Sequence, residues 1–152
     1  MSTERVIVQR GIAPALTAEL TRLASKLRAG DLESDSTAHL SCLYAEGSAQ
    51  NVCSAIEEAK QMGAEILVGD GKRDGALVQP HILKGVIPGM RIWSRESFGP
   101  VFTITEVDTV DEAIELANDS DYSLVASLWS KSADLGLAGR LRAGLYLADM
   151  RR

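Results

Sequence analysis

Cysteine is scarce in this sequence: Cys42 and Cys53 are the only two among 152 residues. Their spacing makes neither a metal-ligand pattern nor a disulfide framework. Such scarcity points to a reducing, cytoplasmic compartment. Positive charge is also short, with 16 Lys+Arg against 21 Asp+Glu, a net charge of −5 and a pI near 5.0. A nucleic-acid binder would show a basic face instead. No apolar run approaches the roughly 18 residues of a membrane span. No charged-then-apolar stretch precedes the first strand, so neither a membrane partner nor a signal peptide is expected. What remains is 45% hydrophobic and 24% charged. That is ordinary globular composition, and the length suits one domain, residues 1–152, with a real core.

Strand and helix patterns alternate along the chain. Arg-Val-Ile-Val-Gln at 5–9 is a β-branched strand signal with almost nothing ahead of it. Leu16, Leu20, Leu23 and Leu27 recur at helical spacing, predicting a helix over 12–27 that Pro14 opens. Residues 31–39 are polar and predict a loop. Ser48 is placed to cap a second helix that carries Val52, Ala55, Ile56, Ala59 and Met62 and stops at Gly63. A short strand over 64–68 follows, then a turn cluster, GDGKRDGA. Residues 77–83 are extended, with Pro80 marking an edge or an interruption, and 85–89 turns again. VFTITEV at 101–107 alternates as a strand. Thr109-Val-Asp-Glu112 is a capping box opening another helix. Strands over 124–129 and 145–148 flank a weak helix over 133–142, which Gly136 and Gly139 destabilise. The expected fold class is therefore α/β, a largely parallel sheet flanked by helices.

Four stretches carry a resemblance. ESFGPVFTI at 96–104 resembles the Glu-x-Phe-Gly-Pro-Val signature of the aldehyde dehydrogenase superfamily. DEAIELANDSDYSLVASLWS at 111–130 is similar to that family's Asn-x-x-x-Tyr-Gly-Leu stretch and the strand after it. LRAGLYLAD at 141–149 resembles the strand that ends there in Asn, and LRAGDLESDSTAHLSCL at 27–43 resembles the loop before its Gly-Pro-Leu element. The matches run in order along the whole chain. MSTERVIV resembles the corresponding stretch of dehydrogenases of aromatic aldehydes such as salicylaldehyde or vanillin.

The resemblance implies part of the family's catalytic domain without its cofactor-binding domain. In the family a cysteine thiolate attacks the aldehyde, hydride passes to NAD(P), and the thioester is hydrolysed. That cysteine lies immediately before a segment like MSTER, five residues ahead of an Arg that Arg5 matches. The nucleophile is thus expected just ahead of Met1. The oxyanion side chain, the general base and the cofactor domain lie further N-terminal in the family. Two cofactor contacts survive by position. Glu96 corresponds to the Glu that hydrogen-bonds a nicotinamide-side ribose, and Phe98 to the Phe packed near the nicotinamide. These two are insufficient alone, so no cofactor is expected. Ser123 in place of Gly and Asp149 in place of Asn depart from the family pattern.

No aldehyde oxidation by these residues is expected, which makes the chain a pseudoenzyme. One alternative is a repurposed, cofactor-independent lyase, isomerase or cyclase acting on a carbonyl-bearing, aromatic substrate. Glu96 and Glu4 are then the candidate catalytic residues. Another alternative is an interaction module. Surfaces that the missing parts would cover predict a homo-oligomer or a second protein chain as partner. Cys42 reads as a small half-buried residue despite His39 three positions away, and Cys53 as helix packing. His81 reads as structural or exposed, and Trp93 and Trp129 as core or interface residues.

Overall fold

The computed structural model describes residues 3–122, 124–130 and 136–149, the last five of these by their backbone. Its elements run β1 (Arg5–Gln9), α1 (Ala13–Ala24), α2 (Glu46–Gln61), β2 (Glu65–Val68), β3 (Arg73–Asp74), β4 (Leu77–Val78) and β5 (His81–Lys84). Then come α3 (Arg91–Ser94), β6 (Val101–Val107), α4 (Val110–Asn118), β7 (Val125–Trp129) and β8 (Leu145–Asp149). The main sheet has four strands in the order β1-β6-β5-β2. Strands β1 and β5 both run parallel to β6, and β2 closes one side antiparallel to β5. Strands β7 and β8 pair in parallel as a separate ribbon.

Alternation along the strands divides the core between two faces. Ile82, Ile104 and Phe102 point to the side covered by α1, where Leu16 and Leu20 meet them. Leu83 and Val101 point to the other side, packing with Val52, Ile56 and Ala59 of α2 and Trp93 of α3. Strand β6 is central, so one polar member of its alternation is enclosed too. Thr103 is buried, and its backbone N–H donates to the Glu4 carbonyl at 2.8 Å.

Helix α4 starts on its capping box. Thr109 Oγ1 accepts from the Glu112 N–H at 3.1 Å, and the Glu112 carboxylate accepts from the Asp108 N–H at 2.8 Å. Helix α2 starts two residues before the expected Ser48 cap. Its N-cap is Ala45, whose carbonyl takes the N–H groups of Ser48 and Ala49, and no side chain caps it. Pro80 marks an interruption and not an edge, because β5 lies inside the sheet. Helix α3 was not expected, since one turn is too short to show a period. Part of the weak helix at 133–142 lies outside the described residues, and what is described there is a 3-10 turn at Ala138–Arg140.

His81 opens β5 and is only 1% exposed. Its Nε2 accepts from the Gly71 N–H at 2.8 Å. Nδ1 then carries the proton and donates to the Gln79 carbonyl at 2.7 Å. The ring thus ties the GDGKRDG turn to the central sheet as a structural group. Burial holds its pKa below the ordinary value, outweighing the Gln79 hydrogen bond and the charge of Asp70. As pH falls below about 6.5, the unfolded chain takes up a proton that the folded ring resists. Stability is therefore full above that pH and declines below it. Thermal unfolding should show a lower midpoint at pH 5 than at pH 7, and His81→Gln should narrow that difference. An unchanged difference in the variant would assign the effect elsewhere.

Candidate functional site

The signature segment links α3 to β6 and lies at the amino ends of the parallel strands β1, β5 and β6. Sites in open α/β sheets more often sit at the carboxyl ends. Three neighbours fix the segment. The His81 N–H donates to the Pro100 carbonyl at 2.7 Å. Beneath Gly99 lies Val52 of α2, so near that a Cβ at position 99 would stand 2.6 Å from Val52 Cγ2. On the third side stands Glu4, one residue ahead of β1. Its Oε1 accepts from the Ser97 N–H at 2.9 Å, the Ser97 hydroxyl at 3.0 Å and the Phe98 N–H at 3.3 Å. Ser97 Oγ in turn accepts from the Gly99 N–H at 3.2 Å.

This web leaves the two sequence-identified cofactor residues facing outward. Phe98 has φ +48, a left-handed conformation uncommon for an aromatic residue. Its side chain is 81% exposed. Glu96 is exposed as well, with no hydrogen-bond partner among the described residues. The segment therefore offers solvent a carboxylate and an aromatic ring from a fixed backbone.

Arg5 lies next to Glu4 in sequence but serves a different element. Its guanidinium donates to the carbonyls of Leu116, Ala117 and Asp119 at 3.0, 3.1 and 3.2 Å. A cation there satisfies the orphan carbonyls at the end of α4 and complements the helix dipole. The same group stands 5.1 Å from the centre of the Trp93 ring. Trp93 Nε1–H donates to the Asp119 carboxylate at 2.8 Å. Burial lowers the Arg5 pKa, and the charges of Asp119 and Glu4 oppose that shift. Glu4 and Arg5 are thus both built into the fold.

The remaining candidates lie outside this cluster. Cys42 is exposed and not half-buried as its sequence suggested, because it sits in an extended loop. No hydrogen bond joins it to His39 among the described residues, and His39 Nδ1 accepts from the Arg28 N–H. Cys53 packs against the α2 core, as expected, and burial pushes its thiol pKa up. Trp93 is a core residue, whereas Trp129 is 67% exposed on β7. Met1 and Ser123 lie outside the described residues, and Asp149 ends β8 by its backbone alone. Among the described residues no group of His, Cys, Asp and Glu could hold a metal. No helix among them is long and apolar enough to cross a membrane.

The bond from Glu4 to Ser97 was invisible in the sequence, as it spans 93 positions.

The model of the aldehyde dehydrogenase family matches residues 1–146. A vanillin dehydrogenase from Pseudomonas fluorescens is 35% identical over 147 residues, 95% of this chain and 30% of its own length. A putative succinate-semialdehyde dehydrogenase [NADP(+)] from Mycolicibacterium smegmatis is 34% identical, over 98% of this chain and 30% of its own. The crystal structure of an NADP-dependent glyceraldehyde-3-phosphate dehydrogenase from Bacillus halodurans, complexed with NADP, superposes with a TM-score of 0.89. It is 34% identical and covers 98% of this chain and 31% of its own. The chain thus spans about 30% of the length of the curated relatives it matches.

Proposed function

Because the chain belongs to the aldehyde dehydrogenase family, we propose that these residues carry the nicotinamide-facing segment of its catalytic domain and do not oxidise aldehydes by themselves. The observation that carries this reading is the fixed backbone at Ser97 and Phe98, with Glu96 and Phe98 both turned to solvent. Their chemistry fits the family's cofactor. A carboxylate accepts from ribose hydroxyls, and an exposed ring offers its face to a pyridine ring. When bound, that cofactor supplies the hydride acceptor. Glu96 and Phe98 orient one end of it only, so affinity is weak without further contacts.

The reading that these residues do not oxidise aldehydes rests on their thiols. Of the two cysteines present, Cys53 has its thiol pushed up by burial, which disfavours the attacking thiolate. Cys42 has no hydrogen bond to a base among the described residues. The family's pocket would accept an aromatic aldehyde or a short semialdehyde, in keeping with the vanillin and succinate-semialdehyde dehydrogenases among its relatives. The test is formation of reduced nicotinamide from such aldehydes by the purified chain.

We also propose that the chain associates with a second copy or another protein. Leu124 and Trp129 favour this, being 66% and 67% exposed at the parallel ribbon. Covering a Trp and a Leu side chain with a second surface would stabilise such an association. Sedimentation at micromolar concentration should show more than a monomer, and a single monomeric species would remove self-association.

A further inference from the structure

We propose that Glu4 is the positioning residue of the cofactor-facing segment, a role that rests on the reading of Glu96 and Phe98 above. The pairing of β1 with β6 puts Glu4 beside the segment that enters β6. Its backbone is held there by the Thr103 N–H on its carbonyl at 2.8 Å. Its carboxylate then gathers two consecutive N–H groups and a hydroxyl onto one oxygen. Consecutive N–H groups converge on one acceptor only when the backbone between them curls. That curl belongs to Ser97, and the Ser97 hydroxyl, bonded to the same acceptor, takes the Gly99 N–H and so closes the turn across Phe98 in its left-handed conformation, φ +48. Without the acceptor, Phe98 has reason to relax to an ordinary negative φ, which would turn its ring away and move Glu96.

This assigns Glu4 a task other than proton transfer. Its Oε1 is occupied by three donors, while the exposed carboxylate of Glu96 stays open to a ligand. Charge matters less here than the position of an acceptor. A glutamine at this position offers a carbonyl oxygen in the same place, so Glu4→Gln should preserve most of the effect and Glu4→Ala should remove it.

The test uses the full chain labelled with nitrogen-15, as wild type, Glu4→Ala and Glu4→Gln. Amide hydrogen exchange is read at Ser97 and Phe98, with β6 amides as the check that each variant is folded. NAD+ is then titrated, and the initial slope of the shift change at Glu96 and Phe98 serves as a relative affinity. Glu4→Ala should lose protection at both amides about tenfold, the upper end of the loss expected for one net hydrogen bond. Its titration slope should fall by a similar factor, with Glu4→Gln close to wild type in both. Protection in Glu4→Ala within about twofold of wild type would overturn the proposal whatever NAD+ does. Lost protection with an unchanged slope would overturn it too, leaving Glu4 a loop anchor without a role in binding. A wild type whose Glu96 and Phe98 do not respond to NAD+ would overturn the cofactor reading and, with it, the positioning role. The exchange data would then still report whether the hydrogen bonds form.

Discussion

Gly69→Ala lowers stability by about 3 kcal/mol and the thermal midpoint by roughly 6–12 °C. Two costs combine. The φ of +94 is one that a side chain rarely adopts, and a Cβ there would stand 2.1 Å from His81 Cδ2. The imidazole cannot yield cheaply, because it is buried and bonded at both nitrogens. Moving it would strand the Gly71 N–H and the Gln79 carbonyl. Gly63 provides the comparison, with φ +103 and nothing within 4 Å of the added carbon. Gly63→Ala should therefore show the backbone cost alone, about 1 kcal/mol. Equal losses in the two variants, measured by thermal denaturation, would mean that His81 does not pack the turn as described.

Gly99→Ala should cost about 2 kcal/mol, for a reason that a second substitution can undo. The added carbon would meet Val52 Cγ2 at 2.6 Å and Cγ1 at 3.1 Å, and Val52 is 2% exposed in the α2 core. Val52→Ala alone leaves a void and should also cost about 2 kcal/mol. In the double variant the new methyl enters that void, so the combined loss should fall short of the sum by at least about 1 kcal/mol. Simple additivity in denaturant unfolding would show that the signature glycine is not needed for this close approach. Val52 thus supports the site from below: a displaced Gly99 would carry Ser97 off Glu4.

The strands were legible where local pattern and environment agree. Val6, Ile7 and Val8 are β-branched and half to fully buried in β1, as their run implies. The start of α4 was legible because Thr109 and Glu112 carry the cap in their own side chains. Helix α2 was misplaced at its start because the first turn is set by the Ala45 carbonyl, which no side chain announces. Strand β6 was legible from its alternation, but not its place in the sheet. Thr103 is in fact enclosed, since a central strand has both faces covered. Glu96 and Phe98 could be picked out because they sit in a compact signature. Glu4 could be noticed only for its place beside Arg5. What separates the two residues, one holding the 97–98 backbone and the other the end of α4, is tertiary geometry that no spacing encodes. Cys42 was judged by its small size, but its exposure depends on an extended loop, which carries no apolar period.

We propose that these residues hold the cofactor-facing segment without the reaction. The most direct test is a single assay. The purified chain is incubated with vanillin or succinate semialdehyde and with NAD+ or NADP+, and the absorbance of reduced nicotinamide is followed. No rate above that without protein is expected. Sustained formation of reduced nicotinamide that is lost in Cys42→Ser or Cys53→Ser would contradict it, by locating a working nucleophile within these 152 residues.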